Sequence, residues 1–210
     1  MKIQNRPTFI EEQNFWNSNI KHVVGLDEVG RGAFAGPIVA AGVIFKPNFK
    51  HDFLNKVNDS KLLKPKLREE LSELIKANSV WEIASVELDF INKFGIGKAN
   101  FEVFKKVLSN LILKLKSEKY FILVDGLDLK IPNQKAIIKG DQKSLSIAAA
   151  SIIAKVYRDN LMREAGKLFP NYLFEQNKGY GTLAHRNALK IHGLSTLHRI
   201  DFCKNINSSN

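Results

Sequence analysis

The sequence predicts an α/β protein, a mixed sheet flanked by helices, with a small helical extension at the C-terminal end. Three observations carry this. Apolar, β-branched runs of strand length stand at 23–28, 37–45 and 120–124. Segments with helical spacing stand at 65–77, 100–115 and 144–167. The chain has 210 residues, 44% of them hydrophobic and 25% charged, which suits one domain that buries its own core.

Residues 1–20 form a polar lead-in that reads as a short helix or arm. Strands follow at 23–28 and 37–45, joined by a glycine-rich turn. Asp59-Ser60-Lys61 precede a helix at Pro65–Ala77, whose proline suits an early helical position. The apolar-polar alternation of Val80–Val86 makes a third strand. Phe101, Phe104, Val107, Leu108, Leu111 and Leu115 recur at helical spacing. The run 120–124 is a strand that ends at Asp125-Gly126. An alanine-rich helix at 144–167 and a further one at 182–191 complete the order. No internal repeat or linker interrupts it, so one compact domain over 21–167 is expected, with 168–210 as the extension.

Composition narrows the function. No apolar run approaches the roughly 18–20 residues that span a bilayer, and the N-terminus lacks the apolar core of a secretory signal. Cys203 stands alone, which excludes an internal disulfide framework and any cysteine-rich zinc site. A reducing cytoplasm is the expected compartment. Lys and Arg outnumber Asp and Glu by 32 to 21, for a net charge of +11 and a pI near 9.7. Such a surplus reads either as a nucleic-acid footprint or as lysine filling solvated positions.

The stretch VVGLDEVGRGAFAG, residues 23–36, is the most informative in the chain. Asp27 and Glu28 close an apolar strand, and consecutive strand residues point to opposite faces. Carboxylates beside a buried strand are costly unless a cation compensates them. Gly30-Arg31-Gly32 follow at once, and glycines let backbone N–H groups approach a phosphate or sugar. Asp125 is either a site residue at a strand end or the start of an Asp-Gly turn. Asp141 taken singly is a helix N-terminal acid, and Asp159 reads as a salt-bridging residue. Together Asp27, Glu28, Asp125 and Asp141 could hold two magnesium ions, which take oxygen ligands. His185, His192 and His198 lack helical zinc spacing. The run Gly30, Gly32, Gly36 is not a dinucleotide fingerprint, and neither a phosphate-binding P-loop nor a nucleophile elbow occurs. In NKGYGT, residues 177–182, Tyr180 either stacks on a sugar or base or packs inward.

The blocks GLDEVGRGAFAGPIVAAGVIF, NDSKLL, LVDG, IKGDQKSLSIAAASIIAKVYRD, FPNY, NKGYGTLAH and HRIDF resemble, in this order, the ribonuclease HII family. They span residues 23–203 or so, and the first and fourth are long and specific. The resemblance implies a ribonuclease H-like fold with a five-stranded mixed sheet. It implies a Mg²⁺- or Mn²⁺-dependent endonuclease that uses two ions and cuts the RNA strand of RNA/DNA hybrids. It also implies cleavage 5′ of single ribonucleotides in duplex DNA, leaving 3′-hydroxyl and 5′-phosphate ends, in a monomer serving DNA replication and repair. The metal-binding and catalytic acids carried over are Asp27, Glu28, Asp125 and Asp141. Gly30, Arg31 and Gly32 match the loop that reads the 2′-hydroxyl, the group that tells RNA from DNA. Tyr180 matches a tyrosine that stacks on the following deoxyribose. Ser60 and Lys61 match a phosphate-contacting segment, Arg199 is a further contact candidate, and the 168–210 extension completes the substrate site. Asn177 stands where the family often has histidine, and 127–131 depart from the usual pattern. A catalytically silent nucleic-acid-binding module and another nuclease of the same superfamily are the competing readings. All four acids speak against the first, and the Gly-Arg-Gly and Lys-Gly-Tyr blocks against the second.

Overall fold

β2, Ile38–Ile44, is buried at every position, which is why IVAAGVI is apolar throughout. β1, His22–Val29, is buried from Val23 through Asp27, and β4, Tyr120–Asp125, from Ile122 through Val124. β3, Val80–Val86, and β5, Gln134–Ile137, occupy the two edges of a five-stranded sheet ordered β3-β2-β1-β4-β5. The sheet is mixed. β1 and β4 run parallel, with Val24 opposite Ile122 and Leu26 opposite Val124. β4 and β5 are also parallel, with Val124 opposite Ala136. The computed structural model describes residues 6–204 apart from 116 and 118.

The helices are α1 (Ile10–Trp16), α2 (Pro65–Ala77), α3 (Leu88–Leu115), α4 (Leu145–Leu168), α5 (Phe174–Asn177), α6 (Leu183–His192) and α7 (Ile200–Cys203). α2 has the bounds the sequence predicts, with Pro65 in its first turn. α3 starts twelve residues earlier than its periodicity suggests, because Gly95, at φ 83°, kinks it and breaks the pattern. β5 escaped the residue-by-residue reading, since QKAI is four residues long and only Ile137 is buried. Among the described residues no helix is long and apolar enough to cross a membrane.

The chain divides into two compact units. The first holds the residues up to Glu28, Ala40–Ala84 and Phe104–Val156. Within it α4 lies directly on β1: a Cβ added at Gly25 would stand 2.2 Å from the Ser146 carbonyl carbon. Val23, Leu123, Ile137 and Ile147 form a core cluster there, with Phe15, Trp16 and Phe121 packed against it. Phe15 stacks on Phe121 at 3.8 Å between centroids, and the buried Glu12 accepts from Ser144 Oγ and from the Ser146 amide. The N-terminal arm is thereby fixed to the start of α4. The second unit holds Val29–Val39, Ser85–Val103 and the residues from Tyr157 on. Its core gathers Ala35, Met162, Tyr172, Phe174, Ala188, Leu189 and Cys203.

Candidate active site

In the first unit, β1 and β4 end side by side. Asp27 lies one residue past Leu26 and Asp125 one residue past Val124, a pair in register, so both acids stand at the carboxyl ends of neighbouring parallel strands. Ligands of parallel sheets gather at such ends. Asp141 comes from a 3-10 turn, Gly140–Gln142, just before α4. The Gly140 amide donates to Asp125 Oδ1 at 2.6 Å, which ties that turn to β4. A side chain at Gly140 would collide with Ile147 at 2.6 Å. The Glu28 amide donates to Asp27 Oδ1 at 2.8 Å.

The electrostatics are those of crowded acids. Asp27 is 6% exposed, and burial, then Glu28 and Asp125, push its carboxyl well above the usual carboxylate range. A hydrogen bond from Ser151 opposes that rise. Burial, then Asp59 and Asp125, raise Asp141 to about 6. Burial pulls the Lys61 ammonium down, but Asp59, Asp141, Asp27 and Asp125 outweigh it and hold it above its ordinary value. Lys61 is therefore within the electrostatic reach of all four of these acids.

Asp59 is the acid that sequence reasoning passed over. It is buried, caps the Lys61 amide at 2.9 Å and is the foremost charged neighbour of Asp141. Its signal was its place two residues before Lys61. The Ser60 hydroxyl, expected at a phosphate, is 2% exposed and pairs with Ser151 Oγ at 2.8 Å. Ser60, Ser151 and Asp27 thus form one chain of hydrogen bonds. Arg68 of α2 donates to the Ser60 and Leu63 carbonyls and holds the loop in place.

These residues fit a divalent cation by their chemistry. They offer hard oxygen donors whose buried negative charge is poorly offset, and such a set suits Mg²⁺ or Mn²⁺. Among the described residues no three carboxylate, imidazole or thiol groups form a ready-made ligand cluster. Asp27 and Asp125 each accept a hydrogen bond from a backbone N–H.

The second unit holds the glycine-rich loop. Gly30 has φ +90°, and a Cβ there would lie 2.2 Å from Arg158 Nε, so glycine is required twice over. Arg31 and Gly32 are exposed. The Phe34 and Ala35 amides both donate to the Gly179 carbonyl, at 2.8 and 3.1 Å. Two arginines, both fully buried, serve this loop. Arg158 donates to the carbonyls of Ala35, Pro37 and Lys178 and lies 5.4 Å from the centroid of the Tyr180 ring. Arg199 donates to the carbonyls of Gly36 and Arg31. It is fully buried, and its guanidinium is spent on these loop carbonyls. Arg158 was not singled out in the sequence, although an arginine among the apolar residues of an alanine-rich helix is the signal that could have found it.

Tyr180 is half-buried, with its ring over Arg158. Asn177 staples the turn before it, donating to the Tyr172 carbonyl at 2.7 Å and accepting from the Gly179 amide at 2.8 Å. The Asn177 amide thus makes both contacts at this turn.

The sequence matches the family described as Ribonuclease HII over residues 24–205. It is 48% identical to the Ribonuclease HII of Clostridium acetobutylicum over 190 residues, 88% of this chain and 73% of that protein. It is 42% identical to the Ribonuclease HII of Caldicellulosiruptor bescii, covering 98% of each. Among solved structures it resembles the PCNA:RNase HII complex from Archaeoglobus fulgidus, with a TM-score of 0.71 and 30% identity over 90% of this chain and 98% of that one. Bst-RNase HIII in complex with Mn²⁺ shares the fold at a TM-score of 0.69 and 20% identity, covering 90% of this chain and 70% of that one.

Proposed function

The chain belongs to the ribonuclease HII family, and from that premise we propose that it is a divalent-metal-dependent endonuclease that cuts the RNA strand of RNA/DNA hybrids and cuts 5′ of ribonucleotides embedded in duplex DNA. The observation that carries the reading is the meeting of Asp27 and Asp125 at neighbouring strand ends with Asp141 in their electrostatic reach. Asp27, Glu28, Asp125 and Asp141 would hold two Mg²⁺ or Mn²⁺ ions, which supply Lewis acidity toward a water and toward the leaving 3′ oxygen. The chain's own part is to hold the carboxylates. Ser151 and the Glu28 amide orient Asp27, and the Gly140 amide orients Asp125. Lys61 is within the electrostatic reach of the same acids and is exposed, so it is placed to meet a phosphate oxygen.

Selectivity belongs to the second unit in this reading. Backbone groups of Gly30-Arg31-Gly32 would contact the 2′-hydroxyl, and Arg199 keeps the Arg31 carbonyl in place. Tyr180 would stack on the deoxyribose that follows, on a ring already backed by Arg158. The biological role that follows is removal of ribonucleotides from DNA.

Cleavage mapping tests this directly, on a duplex with one ribonucleotide and with Mg²⁺ and Mn²⁺ in turn. The expected product ends at a 3′-hydroxyl just 5′ of the ribonucleotide. Asp125→Asn should lower the rate by at least on the order of a hundredfold. Cleavage at near wild-type rate in that variant would overturn the site assignment.

A further inference from the structure

α6 and the segment after it carry two histidines whose four ring nitrogens are all engaged. His185 Nδ1 lies 2.9 Å from the Tyr180 carbonyl oxygen, which can only accept, so Nδ1 bears the proton. His198 Nδ1 lies 2.8 Å from the Ser195 amide, which can only donate, so that nitrogen is bare. The Ser195 hydroxyl sits on the same nitrogen at 2.8 Å. His198 therefore carries its proton on Nε2, and that nitrogen is 3.0 Å from His185 Nε2, the one left to accept. A single donor chain runs from Ser195 through His198 and His185 to the Tyr180 carbonyl. Only neutral rings satisfy it: one more proton sets two N–H groups against each other.

Both rings are buried, at 0% and 2% exposure. Phe34 and Phe174 pack on His185, and Tyr172 lies 4.7 Å from His198. The other titratable or charged groups nearby are the Tyr172 hydroxyl, His192 beyond that ring, Arg186 over the Phe34 ring, Arg199 next in the chain and the Cys203 thiol in the same core. Burial lowers both imidazoles, and burial together with His185 takes His198 to about 4. The Tyr180 segment is held at other points too: its carbonyl also accepts from the Thr182 amide at 2.8 Å, the Tyr180 amide donates to the Asn177 carbonyl at 2.9 Å, and Arg186 Nε donates to the Gly181 carbonyl at 3.0 Å. Gly179 and Gly181 flank it, and a Cβ at Gly181 would meet the Phe34 ring at 2.4 Å.

We propose that His185 and His198 are positioning residues for Tyr180: His185 Nδ1–H helps to hold its carbonyl, and with it the ring over Arg158, and His198 fixes the His185 tautomer through a link that only neutral rings make. The functional meaning rests on the reading of Tyr180 as a sugar contact. The geometry itself does not.

Three measurements separate the inference from that reading. Long-range ¹H–¹⁵N spectra of histidine-labelled protein at pH 7 should show opposite tautomers, Nδ1–H at His185 and Nε2–H at His198. The same tautomer at both, or a charged ring at that pH, would overturn the proposal. In protein with ¹³C-labelled tyrosine rings, the Tyr180 signal, assigned with Tyr180→Phe, should move in His185→Leu. It should stay near wild type in His185→Asn, whose side-chain amide can replace the Nδ1–H donor. An unmoved signal in His185→Leu sinks the idea. On the single-ribonucleotide duplex, His185→Leu should raise KM by about tenfold, as loss of one stacked contact predicts, with kcat little changed and with recovery in His185→Asn. If Tyr180→Ala raises KM and His185→Leu does not, the positioning role is wrong. If the ring signal moves but Tyr180→Ala leaves KM unchanged, positioning stands and the sugar-contact reading fails.

Discussion

The Asp27 carboxyl is buried beside Glu28 and Asp125, and both burial and repulsion oppose its charge. A residue retained in that setting is held against the interest of the fold. Replacing it by asparagine removes the charge while keeping the shape and a hydrogen-bonding oxygen. Asp27→Asn should therefore raise the stability of metal-free protein by about 1 kcal/mol, roughly 2–4 °C in Tm, while abolishing cleavage. Calorimetry in the presence of a chelator checks the first half and the duplex assay the second. A variant that loses both stability and activity would make Asp27 a structural residue. Gly30 makes the opposite point at the same scale. Its positive φ and the Arg158 guanidinium 2.2 Å from where a Cβ would stand leave no alternative residue.

At the scale of elements, α6 is a short helix tied to the segment after it through a pair of histidines. Thr182 caps it by accepting from the His185 amide, and Gly193 at φ +71° ends it. Between them His185 reaches His198, thirteen residues on. His198 sits at about 4 in the fold against 6.5 when exposed. Between those values the unfolded chain binds a proton that the folded chain refuses, so stability falls as pH drops from about 6.5 to about 4 and levels below it. The slope from this one group approaches 1.4 kcal/mol per pH unit. Chemical denaturation across that window should show it in the wild type and a flatter slope in His198→Gln. Equal slopes would mean that His198 is already charged in the fold.

For the whole molecule, the +11 charge has a use if the partner is a polyanion. Neutralising about five phosphates predicts that log affinity for duplex falls with log salt at a slope of roughly −4 to −5. Titration by fluorescence anisotropy at several ionic strengths measures it. A slope near zero would show a surplus spread over solvated positions without a binding face. The four acids belong to one compact unit, and the Gly-Arg-Gly loop with Tyr180 to the other.

The sequence by itself determined the strands β1, β2 and β4 and the bounds of α2, and it put forward the four acids as a proposed metal site. Buried strands must be apolar, and metal chemistry demands carboxylates at fixed places in the chain. It could not show β5, whose four residues carry no pattern, or the early start of α3, where glycines break the period. Only the tertiary structure turned Ser60 inward to Ser151, buried Arg199, expected as a substrate contact, against the glycine-rich loop and set Arg158 beneath Tyr180. It also joined His185 to His198. Each of these is a hydrogen bond or ring contact between residues distant in sequence. Such pairs leave no local signature, because their geometry exists only once the chain has closed on itself.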